Sequence, residues 1–255
     1  LAAPNIDANA ADKNGRTALW EAASAGHEAV VRQLLAAPNI DANAADKNGR
    51  TALWWATSKG HEAVVRELLT APNIDVNAAA EDGWTALWWA TSKGHEAVVR
   101  ELLTAPSIDV NAADEDGQTP LWEAASEGHE AVVRQLLAAP NIDANAADKN
   151  GRTALWWATS KGHKAVVREL LTAPNIDVNA ADEDGWTPLF AAANEGHEGV
   201  VSQLLTVPGI EVNTPGANGQ TPLSFAQAGG HEGVVKLLLE NGATVVTESP
   251  DEDHA

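Results

Sequence analysis

The chain of 255 residues predicts an all-α, single-domain solenoid of short helix pairs joined by small β-hairpin loops. Three observations carry this. A near-identical unit returns every 34 residues, each unit holds two apolar stripes at helical spacing, and Gly and Pro interrupt the stripes before either makes a long helix. One unit is too small to bury its stripes alone, so neighbours must stack and bury them jointly.

Thr17, Thr51, Thr85, Thr119, Thr153, Thr187 and Thr221 mark the copies. The repeats run 12–45, 46–79, 80–113, 114–147, 148–181, 182–215 and 216–247. Residues 1–11 read as the tail of a preceding, truncated repeat, and the start at Leu1 points to a fragment. The acidic stretch 248–255 is expected to be disordered. A longer period lies above the first: Glu21 to His61 recurs as Glu123 to His163 with one change, Ala25 against Glu127.

The unit Asp46–Ala79 illustrates the elements in order. Asn48-Gly49 is a tight-turn signal, because Gly accepts the positive φ such turns need. Thr51 is placed to cap a helix, and Leu53, Ala56 and Thr57 then share one side of it. Gly60 stops this helix. A second begins near His61, with Val64, Val65, Leu68 and Leu69 as its apolar stripe and Glu62, Arg66 and Glu67 toward water. Pro72 bars continuation, and an extended loop leads to the next unit.

This pattern, D-x-x-G-x-T-P/A-L-x-x-A-A/T-x-x-G-H-x-x-V-V-x-x-L-L, followed by I-D-V-N-A, resembles the ankyrin repeat over nearly the whole chain. The departures are specific. TALW or TPLW stands where the family has T-P-L-H, and the unit exceeds the family's usual length of about 33 by one residue, placed in the TAPNID loop. Ala80 and Gly216 replace the Asp that opens the other hairpins, which predicts less rigid hairpins there. The resemblance implies a structural role for the seven histidines of the G-H pairs (His27, His61, His95, His129, His163, His197 and His231), hydrogen-bonding between neighbouring elements.

Several functions are disfavoured by composition and spacing. A net charge of −20, from 36 acidic against 16 basic residues, repels phosphate backbones and anionic membranes. No Cys is present for a thiolate metal site or nucleophile, and no apolar run approaches the roughly 18 residues of a membrane span. HEAVV lacks the second His of a zinc-protease helix. An apparent calcium loop near Asp12 has Ala10 at the first ligand position. No nucleophile elbow or phosphate loop occurs, and no cofactor is expected.

Tryptophan carries the most information. On an ideal helix Trp54 lies about 100° and Trp55 about 200° from Leu53. Trp54 should wedge against the adjacent repeat, as should Trp20, Trp88, Trp122 and Trp156. Trp55 should point away from its own core beside Lys59, a pattern repeated by Trp89 with Lys93 and Trp157 with Lys161. Such pairs are cation–π candidates worth about 0.5–1 kcal/mol. Two readings stay open for these indoles: binding anchors, or covers for the groove between first helices. Trp84 and Trp186 sit on hairpins, where burial is harder, and are expected to make external contacts.

The hairpin tips alternate in charge. Lys13, Asn14 and Arg16, Lys47, Asn48 and Arg50, and Lys149, Asn150 and Arg152 form basic tips. Glu81 and Asp82, Glu115 and Asp116 with Gln118, and Glu183 and Asp184 form acidic ones. Solvated tips would be polar anyway, but the mosaic also suits electrostatic selection of a partner. In the resembled family partners bind hairpin tips and first helices, and here those positions are Lys13, Asn14, Arg16, Ser24 and Ala25 with their counterparts at 34-residue steps.

The expected function is therefore a non-catalytic protein-binding scaffold, monomeric, with no nucleic-acid or membrane partner, in the cytoplasm or nucleus. The alternative is an engineered or purely structural array with no dedicated ligand, which the near-identity of the units favours. Variation at the residue before the Thr (Arg16, Arg50, Trp84, Gln118, Arg152, Trp186 and Gln220) favours binding. Two expectations about stability complete the reading. The first repeat should be the weak edge, and replacing Gly199 and Gly233 by Ala should strengthen their helices by roughly 1 kcal/mol each.

Overall fold

The computed structural model describes residues 7–245. The acidic stretch 248–255, residues 1–6 of the leading segment and the last two residues of the seventh repeat lie outside the described residues. Among the described residues there are fourteen helices in seven pairs. The first members, α1 (Ala18–Ser24), α3 (Ala52–Ser58), α5 (Ala86–Ser92), α7 (Pro120–Ser126), α9 (Ala154–Ser160), α11 (Pro188–Asn194) and α13 (Pro222–Ala228), begin 34 residues apart. The second members are α2 (Glu28–Leu35), α4 (Glu62–Leu68), α6 (Glu96–Leu102), α8 (Glu130–Leu137), α10 (Lys164–Leu170), α12 (Glu198–Leu204) and α14 (Glu232–Glu240).

The chain divides into two compact units between Lys149 and Asn150. The first holds α1 to α8 and the second α9 to α14. Within each unit, first helices pack on first helices of neighbouring repeats and second helices on second.

The start and stop of each first helix are local chemistry. Every capping Thr is extended, and its hydroxyl accepts from the backbone N–H three residues on, as in Thr51 to Trp54. This satisfies one of the N–H groups a helix start leaves unpaired. Gly60 ends α3 at φ +72°, and a Cβ there would lie 3.2 Å from the His95 ring of the next repeat. Both the left-handed backbone and the neighbouring imidazole therefore require Gly. The imidazole in turn bridges repeats: Nε2 of His61, His95, His129, His197 and His231 donates to the carbonyl of Ser24, Ser58, Ser92, Ser160 and Asn194, at 2.9–3.4 Å.

The loops are stacked by a device absent from the sequence reading. Asn43 Nδ2 donates to the Asn73 carbonyl (2.8 Å), and Asn43 Oδ1 accepts from the Asp75 N–H (2.8 Å). Asn9, Asn77 and Asn111 in the first unit and Asn179 and Asn213 in the second repeat this two-bond clamp on the next loop. In this loop Asn39, Asn73 and Asn141 are left-handed, a conformation Asn tolerates better than most residues.

Second helices bury the expected stripe, with two corrections. Val64, Val65 and Leu68 are buried, whereas Leu69 is the half-buried C-cap residue of α4. Glu67 does not simply face water: it accepts from Arg32 of the preceding repeat (2.6 Å). That bond holds its carboxyl below the usual range. Arg66 bridges Glu62 and Glu101 in the same manner. Val30 on α2 is 44% exposed while the matching Val64 is 1% exposed, so the first repeat has the less covered second helix. The two helical glycines also differ. A Cβ at Gly199 would make ordinary contact with Lys164, but at Gly233 it would meet the Glu198 carboxylate, which must swing aside.

Hairpins close by a backbone pair, for example Asp46 N–H to the Arg50 carbonyl (3.0 Å), and those of the first, second and third repeats are among the ones that form isolated antiparallel bridges. Adjacent tips are tied together: the N–H of Lys47, Glu81 and Lys149 donates to the carbonyl of Asn14, Asn48 and Asp116. Ala80 and Gly216 keep the closing bond, to Trp84 and Gln220. What they lack is the Asp carboxylate, which in Asp12, Asp46, Asp114 and Asp182 accepts from the N–H groups two and four residues on.

Candidate protein-binding groove

In the first unit the hairpins and first helices of the second and third repeats enclose a groove of about 490 Å³. It is built from the Thr51 and Thr85 caps outward. Each cap fixes the first turn of its helix, so the two tryptophans of each TALWW string leave the helix in set directions. Trp54 is 5% exposed and wedges against Trp89 of the next repeat at 5.1 Å, as its helical position predicts. Trp55 is half-buried and lies against Trp20 of the preceding repeat (4.9 Å) and Trp54 (5.2 Å). Trp89 is half-buried among Trp54, Trp84 and Trp88.

Nine predicted site residues meet at this groove: Asn48, Arg50, Trp55, Lys59, Glu81, Asp82, Trp84, Trp89 and Lys93. Ser58, the counterpart of Ser24 one repeat on, and Trp54 and Ala80, which the sequence reading did not place in the site, complete the lining. An adjoining hollow of about 400 Å³ between the first and second repeats gathers Asn14, Arg16 and Lys47 with Trp20 and Asp46. Lys13 is an exposed tip outside both. Glu115 and Asp116 are exposed on the fourth tip, where Lys149 Nζ comes within 3.8 Å of Asp116. Gln118 contributes its carbonyl, which accepts from Trp88 Nε1 (3.1 Å).

The second unit repeats parts of this arrangement. Arg152 lies over Trp156 and Trp157, and Lys161 over Trp157 at 5.5 Å. The Asn150 carbonyl accepts from the Glu183 N–H, and Glu183 and Asp184 are exposed.

Burial at the hairpins goes further than their position suggests: Trp84 and Trp186 are half-buried. Trp84 stacks on Trp88 at 5.0 Å and its Nε1 donates to Asp114 (3.3 Å), while Trp186 stacks on Phe190 at 4.7 Å. A flat indole one residue before the cap covers the first-helix aromatic, and apolar area favours that fold-back. The arginines of the basic tips also turn inward. Arg50 pairs with buried Asp46 (3.1 Å) and covers Trp55 (4.8 Å); Arg16 pairs with Asp12 (2.8 Å) and covers Trp20 (5.4 Å). The exposed charge of those tips is therefore left mainly to the lysines.

The Arg16 N–H and guanidinium hold the Asp12 carboxyl at about 2. Burial pushes the carboxyls of Glu123 and Asp182 up instead. Glu123, 9% exposed, occupies the slot that Trp55 and Trp89 fill in the two preceding repeats. Among the described residues no group of three His, Asp or Glu is placed to hold a metal ion, and no helix is long and apolar enough to cross a membrane. The histidine nitrogens that bridge repeats are engaged with carbonyls rather than with a reacting group.

A family model described as ankyrin repeats (3 copies) matches residues 1–80, 40–114, 69–148, 107–182, 141–216 and 174–249. The crystal structure of the ankyrin repeat domain of Bcl-3, described as a unique member of the IkappaB protein family, superposes with a TM-score of 0.79. It is 26% identical, over 89% of this chain and 100% of that one. No curated protein sequence matches. In all, 618 solved chains match, so the architecture by itself names no partner. Ankyrin repeats generally mediate protein–protein interaction and are generally non-enzymatic scaffolds. With helix pairs at a 34-residue step and six overlapping family matches, the chain belongs to the ankyrin-repeat family and has its helical solenoid fold.

Proposed function

We propose that this chain is a non-catalytic scaffold whose protein partner contacts hairpin tips and first helices. The observation that carries the reading is the groove of the second and third repeats, where four indoles form the wall and Lys59, Lys93, Glu81 and Asp82 form the rim. A wall of this kind offers large apolar area on side chains already held in place, which limits the entropy lost on association. The chain acts as a monomer in the cytoplasm or nucleus, and its charge of −20 disfavours nucleic acid and anionic membranes as partners.

The test compares the intact chain with Trp55→Ala/Trp89→Ala/Trp157→Ala and with a charge-reversed tip variant, by affinity capture and quantitative mass spectrometry. A partner retained by the intact chain and lost from both variants supports the reading, provided the melting temperature of each is close to the wild type. The contacts of Trp55 with Trp20 and of Trp89 with Trp54 favour a second reading, a structural array with no dedicated ligand. That reading expects a large fall in melting temperature and no partner dependent on these residues.

A further inference from the structure

Four hairpin tips carry Asn followed by Gly at one place: Asn14-Gly15, Asn48-Gly49, Asn150-Gly151 and Asn218-Gly219. Gly has no side chain to shield its peptide nitrogen, so the nitrogen can approach the Asn side-chain amide closely. The first two tips are locked against this. The Asp12 or Asp46 carboxylate accepts from the N–H of Arg16 or Arg50, and the Asn14 or Asn48 carbonyl accepts from an N–H of the next tip. The next hairpin also covers the Gly: a Cβ at Gly15, Gly49 or Gly151 would meet its backbone at 3.1–3.3 Å. The seventh tip differs on each count. Gly216 stands in place of the Asp, and the Gln220 N–H donates instead to Asn218 Oδ1 (3.1 Å). Asn218 Nδ2 donates in turn to Gln220 Oε1 (2.8 Å). Among the described residues no N–H donates to the Asn218 carbonyl, and a Cβ at Gly219 would meet nothing within 4 Å. Asn218, Gly219 and Gln220 are all exposed.

We propose that Asn218 is a site of spontaneous modification, where the side-chain amide is converted to a carboxylate through a cyclic imide. The bond from Gln220 N–H to Asn218 Oδ1 closes a ring of atoms that contains the Gly219 nitrogen, so the amide is folded back toward its nucleophile. The same bond draws electrons from Cγ. The Gly219 nitrogen loses its proton to water and bonds to Cγ, the bond from Cγ to Nδ2 breaks, and Nδ2 takes up a proton and leaves as ammonia. Water then opens the imide. Breaking the bond to Cγ leaves Asp, and breaking the bond to the backbone carbonyl leaves isoaspartate, with the chain running through Cγ. The Gly219 N–H first has to leave the Gly216 carbonyl (2.8 Å), but the matching bonds of Gly15 and Gly49 (3.0 Å each) also have to open, and those two hairpins carry the extra locks. Either product gives the seventh tip a charge it lacks and that Asp82, Asp116 and Asp184, each followed by Gly, already supply at this place. The fifth Asn-Gly pair is engaged differently: Asn241 Nδ2 donates back to the Leu237 carbonyl of α14 (2.8 Å). The proposal stands apart from the scaffold reading.

The intact chain is incubated at mildly alkaline pH in water enriched in heavy oxygen, folded and in concentrated urea, and its peptides are mapped by mass spectrometry. In the folded chain Asn218 should turn into Asp and isoaspartate, each with one oxygen from the water, about tenfold faster than Asn14, Asn48 and Asn150. In urea the four sites should react at similar rates, because the locks are gone. Gly216→Asp restores the carboxylate and should slow Asn218 about tenfold. Its place beside Trp186 matches that of Asp114 beside Trp84, where Trp84 Nε1 donates to the carboxylate. The proposal is overturned if Asn218 reacts no faster than Asn14 and Asn48 in the folded chain, if its lead persists in urea, or if Gly216→Asp leaves its rate unchanged.

Discussion

Arg50 in the second hairpin and Trp84 in the third occupy the same place, one residue before the capping threonine. They solve one problem with different chemistry. Arg50 is held by the buried Asp46 carboxylate and lays its guanidinium over Trp54 and Trp55. Trp84 has Ala80 in place of that Asp and stacks nearly parallel on Trp88, 11° between planes. In both, the residue is a lid on the first-helix indole. The identity of a hairpin residue here thus answers first to packing and only then to solvent or partner.

The largest effect expected is on the covered indole itself. Trp88→Ala should cost about 3–5 kcal/mol in urea unfolding, and Trp84→Ala about 1–2 kcal/mol, because the lid is half-buried. Equal losses would mean that Trp84 is core rather than cover. A transplant tests the equivalence of the two solutions. Arg50→Trp alone should lose about 2 kcal/mol or more, since it strands the buried Asp46 charge. Asp46→Ala/Arg50→Trp should return to within about 1 kcal/mol of the wild type if the two hairpins are interchangeable.

The covered indoles also differ in one bond. Trp88 Nε1 donates to the Gln118 carbonyl, whereas Trp54 Nε1 is buried with no hydrogen-bond partner. Trp88→Phe should therefore cost about 1 kcal/mol more than Trp54→Phe. The smallest effect separates hairpins with and without Asp. The depressed Asp12 carboxyl contributes stability above its unfolded value of 3.8, lost as pH falls toward about 2. Amide exchange at Asn14 and Arg16 should accelerate over that window, while the third hairpin, with Ala80, should show no matching step. A parallel acceleration in both would remove Asp12 as the cause.

Much of the repeat was legible in the residues. Thr caps, Gly stops and the Val-Val/Leu-Leu stripe act within a turn or two of their own position, so their consequences follow from local sequence. The G-H pair was legible as a bridge only through the family resemblance, because its carbonyl acceptor lies 37 residues away. The Asn clamp was missed for a related reason: a polar loop residue looks solvated until the loop 30 residues on supplies its partners. A partial signal for the lid was available, since Arg precedes the Thr in the first, second and fifth repeats and Trp in the third and sixth, although Gln118 precedes it in the fourth, where a Trp-Glu pair follows.

The sequence by itself determined the period, the element boundaries and the burial of Trp54, since these depend on backbone propensity and on which face of a short helix is apolar. Only the tertiary structure decided that Trp84 and Trp186 fold inward and that Arg16 and Arg50 spend their charge within their own hairpins. Those outcomes rest on what a neighbouring repeat places within about 5 Å, a distance at which side chains a whole repeat apart in the chain compete for the same contact.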